Sequence, residues 1–138
     1  MHIDHIGILV DDIESHTSLF ETLGLDVSAV ETVPGFGVRI AFLPVGESLL
    51  ELVEPLEEGS DLTAELAETE QRALLHHVAL RVDDIEAWLT DLKSLDVPLA
   101  DETPRQGAGE ARVVFLERRA ANGIRIELVE RNSEPAFL

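Results

Sequence analysis

The sequence predicts an α+β fold made of two tandem βαβββ modules, related by a pseudo-twofold axis and sharing one curved mixed sheet. Three observations predict it. The first is an internal repeat: Ile3-Asp4-His5-Ile6-Gly7-Ile8-Leu9-Val10-Asp11-Asp12-Ile13-Glu14 returns as Leu75-His76-His77-Val78-Ala79-Leu80-Arg81-Val82-Asp83-Asp84-Ile85-Glu86, an offset of 77 − 5 = 72 positions. The second is a matching tail on each copy, Glu51-Leu52-Val53-Glu54 and Glu127-Leu128-Val129-Glu130, offset by 127 − 51 = 76. The third is the order of elements in each copy, strand pattern first, then helical spacing, then short strands punctuated by turns. A long repeat present only twice indicates a duplicated half-domain, because a solenoid needs three or more units.

The elements follow in order. His2 to Val10 reads as a strand, and Asp11-Asp12 as the N-cap region of a helix from Ile13 to Leu23. Ile13, Leu19, Phe20 and Leu23 form its expected inner stripe, and Gly24 stands where a C-cap glycine belongs. Three strands are expected near Asp26–Thr32, Val38–Pro44 and Ser48–Val53, with turns at Pro34-Gly35 and Val45-Gly46-Glu47. In the second copy the strand is Leu75–Val82 and the helix Ile85–Leu95, with Trp88, Leu89 and Leu92 inward. Its later strands are expected near Val97–Thr103, Ala111–Leu116 and Ile124–Glu130, with turns at Pro104–Gly109 and Ala120–Gly123. Pro55 to Ala73 joins the halves as a partly helical connector in which Leu62 and Leu66 pack. The organisation is thus a single domain over 1–138: module one about 1–56, connector 57–73 and module two 74–132.

Composition narrows the function classes. Hydrophobic residues make up 45% of the 138, enough for a core. No apolar run approaches the roughly 20 residues of a membrane helix. The N-terminus lacks the basic flank and cleavage site of a signal peptide, so the chain is expected to begin near Met1 and stay in the cytoplasm. There is no cysteine, which excludes disulfides, thiolate metal sites and a cysteine nucleophile. The balance of 28 acids against 10 bases, a net charge of -18, excludes a nucleic-acid partner, since phosphates are repelled over most of the surface. The acids are spread along the whole chain, and Lys93 is the one lysine. Such a surface reads as a halophilic adaptation, hydrated and self-repelling in dilute buffer. Screening shortens from about 10 Å at 0.1 M salt to about 3 Å at 1 M. The melting temperature is therefore expected to climb steeply with KCl; undiminished stability in dilute buffer rules the adaptation out.

Strand alternation then gathers a set of polar residues. Ile6, Ile8 and Val10 face the helix, whereas His5, Gly7 and Leu9 face away; Val78, Leu80 and Val82 repeat the first set, and His77, Ala79 and Arg81 the second. Glu51 lies between Leu50 and Leu52, and Glu127 between Ile126 and Leu128. A carboxylate buried alone in an apolar strand is costly, and a cation shared with imidazoles removes that cost. His5, Glu51, His77 and Glu127 are therefore expected to hold one divalent ion per chain, with Co, Mn, Ni or Zn suited to this donor set. His2, His16 and His76 lack repeated partners and are expected on the surface or in support of the site. Glu54 and Glu130, at strand ends, are expected to be solvated.

At these residues the chain resembles the vicinal oxygen chelate (glyoxalase/bleomycin resistance/dioxygenase) superfamily, and within it the methylmalonyl-CoA epimerase family. The resemblance runs nearly end to end. It rests on His5-Ile6-Gly7-Ile8, on Leu50-Glu51-Leu52-Val53-Glu54-Pro55-Leu56, on His76-His77-Val78-Ala79 with Val82-Asp83-Asp84-Ile85, on Pro104-Arg105-Gln106-Gly107-Ala108-Gly109, and on Gly123-Ile124-Arg125-Ile126-Glu127-Leu128. It implies His5, Glu51, His77 and Glu127 as metal ligands, although many epimerases carry Gln at the Glu51 position, and it implies a homodimer. It also implies R/S interconversion of an acyl-CoA, methylmalonyl-CoA, by proton abstraction alpha to the thioester through a metal-stabilised enolate. Glu127 and Glu51 are the expected bases. Some epimerases carry a further carboxylate after a Gly-Val pair on a central strand; here Gly37-Val38-Arg39-Ile40 puts Ile40 in that place. Arg105, Gly107, Gly109 and Arg112 are candidate substrate contacts, and Arg105, Arg112, Arg118 and Arg119 candidates for the CoA phosphates.

Other activities fit less well. Glyoxalase I uses two His and two Glu, which suits Glu51, but Ala120-Ala121-Asn122-Gly123 lacks the Asp-Pro-Asp-Gly motif of that turn. A ring-cleaving dioxygenase uses two His and one carboxylate. Metal-free binding proteins of the same fold lack complete ligand sets.

Overall fold

The computed structural model describes residues 1–132. Its eight strands are β1 (His2–Val10), β2 (Ala29–Val33), β3 (Val38–Val45), β4 (Ser48–Pro55), β5 (Ala73–Arg81), β6 (Arg105–Gln106), β7 (Arg112–Phe115) and β8 (Ile126–Glu130). They form one mixed sheet in the order β2-β3-β4-β1-β5-β8-β7-β6. The duplication is visible in the pairing: β1 runs parallel to β4 and β5 parallel to β8, and the two halves meet through the antiparallel β1–β5 pair. The sheet curls into a half-barrel, α+β in class. Three α-helices accompany it: α1 (Thr17–Thr22), α2 (Asp61–Glu68) in the connector, and α3 (Ile85–Ser94). No described helix is long and apolar enough to cross a membrane.

The apolar alternation divides the core between the two faces of the sheet. Towards α1, Val10, Ala41, Leu43 and Leu52 pack with Ile13 and Phe20; towards α3, Val82, Val114 and Leu128 pack with Ile85 and Leu89. On the opposite, inner face lie Leu9, Val38, Ile40, Phe42 and Val53 from one half and Ala79, Val113 and Val129 from the other, with Phe36 touching both groups. Burying an aliphatic side chain of this size contributes about 1.5–3 kcal/mol each, so the two faces hold the sheet between them.

Several expected elements differ. The first helix opens with a 3-10 turn over Glu14–His16 before α1. That tighter turn shifts the helical phase, so Ile13 and Phe20 face the sheet while Leu19 and Leu23 stay 65% and 66% exposed. Asp12 caps the turn by accepting the Ser15 N–H at 2.9 Å, as Asp84 caps α3 by accepting the Ala87 N–H at 3.1 Å. Gly24, at φ +90°, closes α1 as expected. Trp88 lies on the flank of α3, 40% exposed, because the buried stripe runs through Ile85, Leu89 and Leu92. No strand forms over Val97–Thr103; the chain there meets the end of β7 and the residue after it through the Leu99–Leu116 bridge and through Ala100 and Asp101, whose N–H groups both donate to Phe115 O. Pro98 has no N–H to give to a ladder there. The edge strand β6 falls instead inside the expected turn Pro104–Gly109.

Glu54 and Glu130, expected as solvated residues at strand ends, are instead bonded to backbone. Glu54 Oε1 accepts the Ile13 N–H at 3.0 Å and Glu130 Oε2 the Ile85 N–H at 2.9 Å. Arg39 joins Glu54 to Glu14, and Arg112 joins Glu130 to Glu86. The repeated glutamates thus satisfy orphan donors at the starts of the repeated helices and tie each helix to its sheet.

Two irregularities interrupt the β1–β5 ladder. Ile3 pairs with Leu80 and His5 with Ala79, leaving Asp4 as an extra residue in β1; Gly7 pairs with His77 and Ile8 with Leu75, leaving His76 as an extra residue in β5. The two bulge residues occupy equivalent places in the repeat, 76 − 4 = 72 positions apart.

Candidate metal centre

His5 and His77 come from the paired central strands β1 and β5, and Glu51 and Glu127 from β4 and β8 beside them. All four are buried, with 3–6% of their surface exposed. They line a cavity of about 570 Å³ on the inner face of the sheet. Its walls are largely apolar, with Val33, Val38, Ile40, Val53, Val113 and Val129 among them, and α2 contributes Leu62 and Glu65.

The ligand atoms of His5, His77 and Glu127 lie within 4.8 Å of one another. His5 Nε2 is 3.0 Å from His77 Nε2 and 2.9 Å from Glu127 Oε1, and His77 Nε2 is 3.6 Å from that oxygen. Glu51 falls outside this close set. Its Oε2 lies 3.2 Å from the other His5 nitrogen, Nδ1, and with Asp4 it makes a second group that shares His5. Of the four expected residues, three therefore converge, and Glu51 adjoins them across the His5 ring.

These residues fit a cation. Glu51 Oε2 and Glu127 Oε1 are buried and have no hydrogen-bond partner although imidazole nitrogens are near. A buried carboxylate oxygen left so is costly. Metal–ligand bonds of about 2.0–2.2 Å place neighbouring ligand atoms roughly 3 Å apart, the spacing found here. The side chains alone set unusual protonation. Burial lowers the His5 pKa, but Glu51, Glu127 and the Asp4 hydrogen bond outweigh it and push it up to about 10. Burial pushes Glu51 up to about 7 against the pull of His5. Burial brings His77 down to about 3 despite Glu127, and brings His76 to about 3 with Arg125 and Arg118 adding to it. Without a cation His5 thus holds its proton while His77 is neutral; a divalent ion displaces the His5 proton, and two imidazoles beside carboxylates are then a donor set for a borderline divalent ion.

Gly7 makes room for this arrangement. It stands opposite His77 in the ladder, and a Cβ on it would fall 2.1 Å from His77 Cε1. Gly7→Ala is expected to displace the His77 ring and weaken Co²⁺ binding about 10–100-fold, the range typical when the support of a ligand is lost. Chelator competition measures this, and an unchanged affinity would show that the ring tolerates the methyl group.

Several residues around the centre were not singled out by strand alternation. Asp4 is fully buried; its Oδ2 accepts from His5 Nδ1 at 2.7 Å, and Arg81 and Arg131 donate to its carboxylate at 2.9 Å. Burial raises its pKa, but the His5 and Arg131 hydrogen bonds outweigh that and hold it well below the usual carboxylate range. Glu65 accepts from Arg125 at 3.0 and 3.3 Å. Only the first of these had a signal, a polar residue preceding the repeated histidine in each copy.

The expected substrate contacts separate. Arg105 and Gly107 line the cavity, with the Arg105 guanidinium 3.9 Å over the Phe36 ring. Arg118 lines it too. Gly109 does not; its N–H donates to Glu31 at 2.9 Å. Arg112 and Arg119 are also outside, held by Glu130 and Glu86 and by Glu117.

Comparison with known proteins gives the family and the fold. Residues 4–115 match the model of the Glyoxalase/Bleomycin resistance protein/Dioxygenase superfamily. The chain belongs to this superfamily. Among its relatives, an uncharacterized Bacillus subtilis protein, YqjC, is 38% identical over 129 residues, covering 93% of this chain and 91% of the relative. The ethylmalonyl-CoA/methylmalonyl-CoA epimerase of Cereibacter sphaeroides is 33% identical over 128 residues, covering 91% and 95%. A solved variant of Streptomyces coelicolor methylmalonyl-CoA epimerase, in complex with 2-nitronate-propionyl-CoA, superposes with a TM-score of 0.89 at 30% identity, covering 99% of this chain and 98% of that one. The sheet described above is the curled half-barrel of superfamily epimerases.

Proposed function

We propose that the chain is a divalent-metal-dependent epimerase that interconverts the R and S forms of methylmalonyl-CoA. The observation that carries this reading is the convergence of His5, His77 and Glu127, with Glu51 adjoining, on the wall of an otherwise apolar cavity. The similarity to epimerases named for this substrate supports it. His5, Glu51, His77 and Glu127 would hold the cation, which supplies positive charge opposite the oxygens that become negative as the α-proton leaves.

The chain's own residues do the rest. One carboxylate takes the α-proton as the C–H bond breaks and its electron pair spreads towards the thioester carbonyl. The other, protonated at the outset, gives its proton to the opposite face of the flattened carbon, so the configuration inverts and the two carboxylates exchange protonation states. Glu127 and Glu51 take these parts in our reading. They flank different nitrogens of the His5 ring, which supports their acting from different sides. Ile40, 8% exposed on the cavity wall, has no proton to offer there. The valine walls keep bulk water from the carbanionic carbon. Of the four arginines considered for the CoA phosphates, our reading assigns Arg105 and Arg118, 43% and 58% exposed, because they line the cavity and Arg112 and Arg119 do not. The reading includes a homodimer of the 15.2 kDa chain, as the family implies.

Glu51 also favours a second reading, a glyoxalase I-type isomerase, because a carboxylate there completes a two-His, two-Glu set. Parallel assays of the Co²⁺-loaded protein with methylmalonyl-CoA and with methylglyoxal plus thiol decide between them. Turnover of the acyl-CoA alone is expected. Turnover of the hemithioacetal alone establishes the second reading, and inactivity on both overturns the first.

A further inference from the structure

The two bulges in the β1–β5 ladder have a common effect. Strict alternation would send Asp4 and His76 to the face opposite His5 and His77. An extra residue on one strand breaks that alternation and re-aims its side chain. Each bulge residue lies against the Nδ1 atom of the histidine that follows it: Asp4 Oδ2 is 2.7 Å from His5 Nδ1, and His76 Nδ1 is 2.8 Å from His77 Nδ1. Both ligand histidines are thereby left with Nε2 pointing into the shared centre.

From this arrangement, and resting on the metal site proposed above, we infer that Asp4 and His76 are positioning residues that hold His5 and His77 in the Nδ1–H tautomer, with Nε2 free for the cation. The chemistry of the second pair has one consistent solution. If His77 Nε2 keeps its lone pair for the ion, its proton is on Nδ1 and is donated to His76 Nδ1. His76 then carries its own proton on Nε2, which faces Glu65 Oε2 at 3.6 Å. Arg125 holds Glu65 in place and also donates to the His76 carbonyl oxygen at 3.1 Å. Each ligand histidine is thus backed by a carboxylate and arginine, directly in the first half through Asp4 and Arg131, and through an intervening imidazole in the second. The bulges supply the same placement in both halves while the residues placed there differ. The Glu65 link also joins α2, which lines the cavity, to a metal ligand.

Nitrogen-15 spectroscopy of the imidazoles in the Zn²⁺-loaded protein tests the tautomers. Nδ1–H is expected on His5 and His77, and Nε2–H on His76. Co²⁺ affinity by chelator competition tests the support. His76→Leu is expected to weaken binding about 10–100-fold, as loss of such a partner does elsewhere. His76→Asn, whose amide oxygen can accept from His77 Nδ1–H, is expected to recover most of that loss. Nε2–H on His77, or undiminished Co²⁺ affinity in folded His76→Leu, overturns the inference and leaves the metal site standing. Failure of the wild-type protein to bind either ion overturns both. The tautomer measurement needs no variant, so a misfolded His76→Leu does not remove the test.

Discussion

Glu127→Gln is expected to lower epimerisation of methylmalonyl-CoA by roughly 10²–10⁴-fold, the usual contribution of a positioned general base. The substitution keeps the side chain's shape and one ligand oxygen but removes its capacity to take up a proton. The other titratable groups close to it, His5 and His77, have the part of ligands in the proposed site, and Glu51 that of the second base, so none replaces it. Two measurements separate base from ligand. At saturating Co²⁺, a variant that has only lost affinity recovers its rate, whereas a variant without its base does not. Solvent deuterium wash-in then follows proton transfer itself. Glu127→Gln and Glu51→Gln are each expected to slow exchange on one epimer more than on the other, since each carboxylate serves one face. Wild-type wash-in by both variants would show that neither is a base.

Asp4→Leu is expected to destabilise the protein by about 3–5 kcal/mol, the cost of breaking a buried ion pair by removing one partner. Arg131 is 3% exposed and Arg81 13% exposed at the side chain, and both donate to this one carboxylate. A leucine fills the space yet offers no acceptor, so both guanidiniums lose the carboxylate they touch; Arg131 keeps its bond to the Ala108 carbonyl and the longer-range pull of Glu51 and Glu127. For a chain of this length that loss lowers the melting temperature by roughly 10–20 °C. Asp4→Asn keeps an oxygen for one of the donors and is expected to lose less. Thermal unfolding of the two variants beside the wild type measures the difference, and a melting temperature for Asp4→Leu within a few degrees of wild type would mean that the arginines find other partners at small cost.

The limits of sequence reading show in the same residues. His5, His77, Glu51 and Glu127 were legible because duplication repeats them and alternation puts each on the inner face. Leu19 and Trp88 misled because helical spacing assumes a constant phase, and a 3-10 opening or a small rotation of a short helix changes which apolar residue is covered. Glu54 and Glu130 were repeated and visible, but a repeat shows that a residue recurs, not what it touches. Their partners, the Ile13 and Ile85 N–H groups, are about forty positions away in sequence.

The sequence by itself determined the duplication, the βαβββ order, and the repeated histidines and glutamates with their inward direction, because these depend on period and on local chemistry. Only the tertiary structure decided that Asp4 and His76 share a face with the histidines they precede, that Glu51 adjoins His5 across its ring, and that Arg131 closes on a residue at the other end of the chain. A bulge costs one residue of register and leaves no period to read, and a salt bridge between positions 4 and 131 exists only once the sheet has brought its strands together.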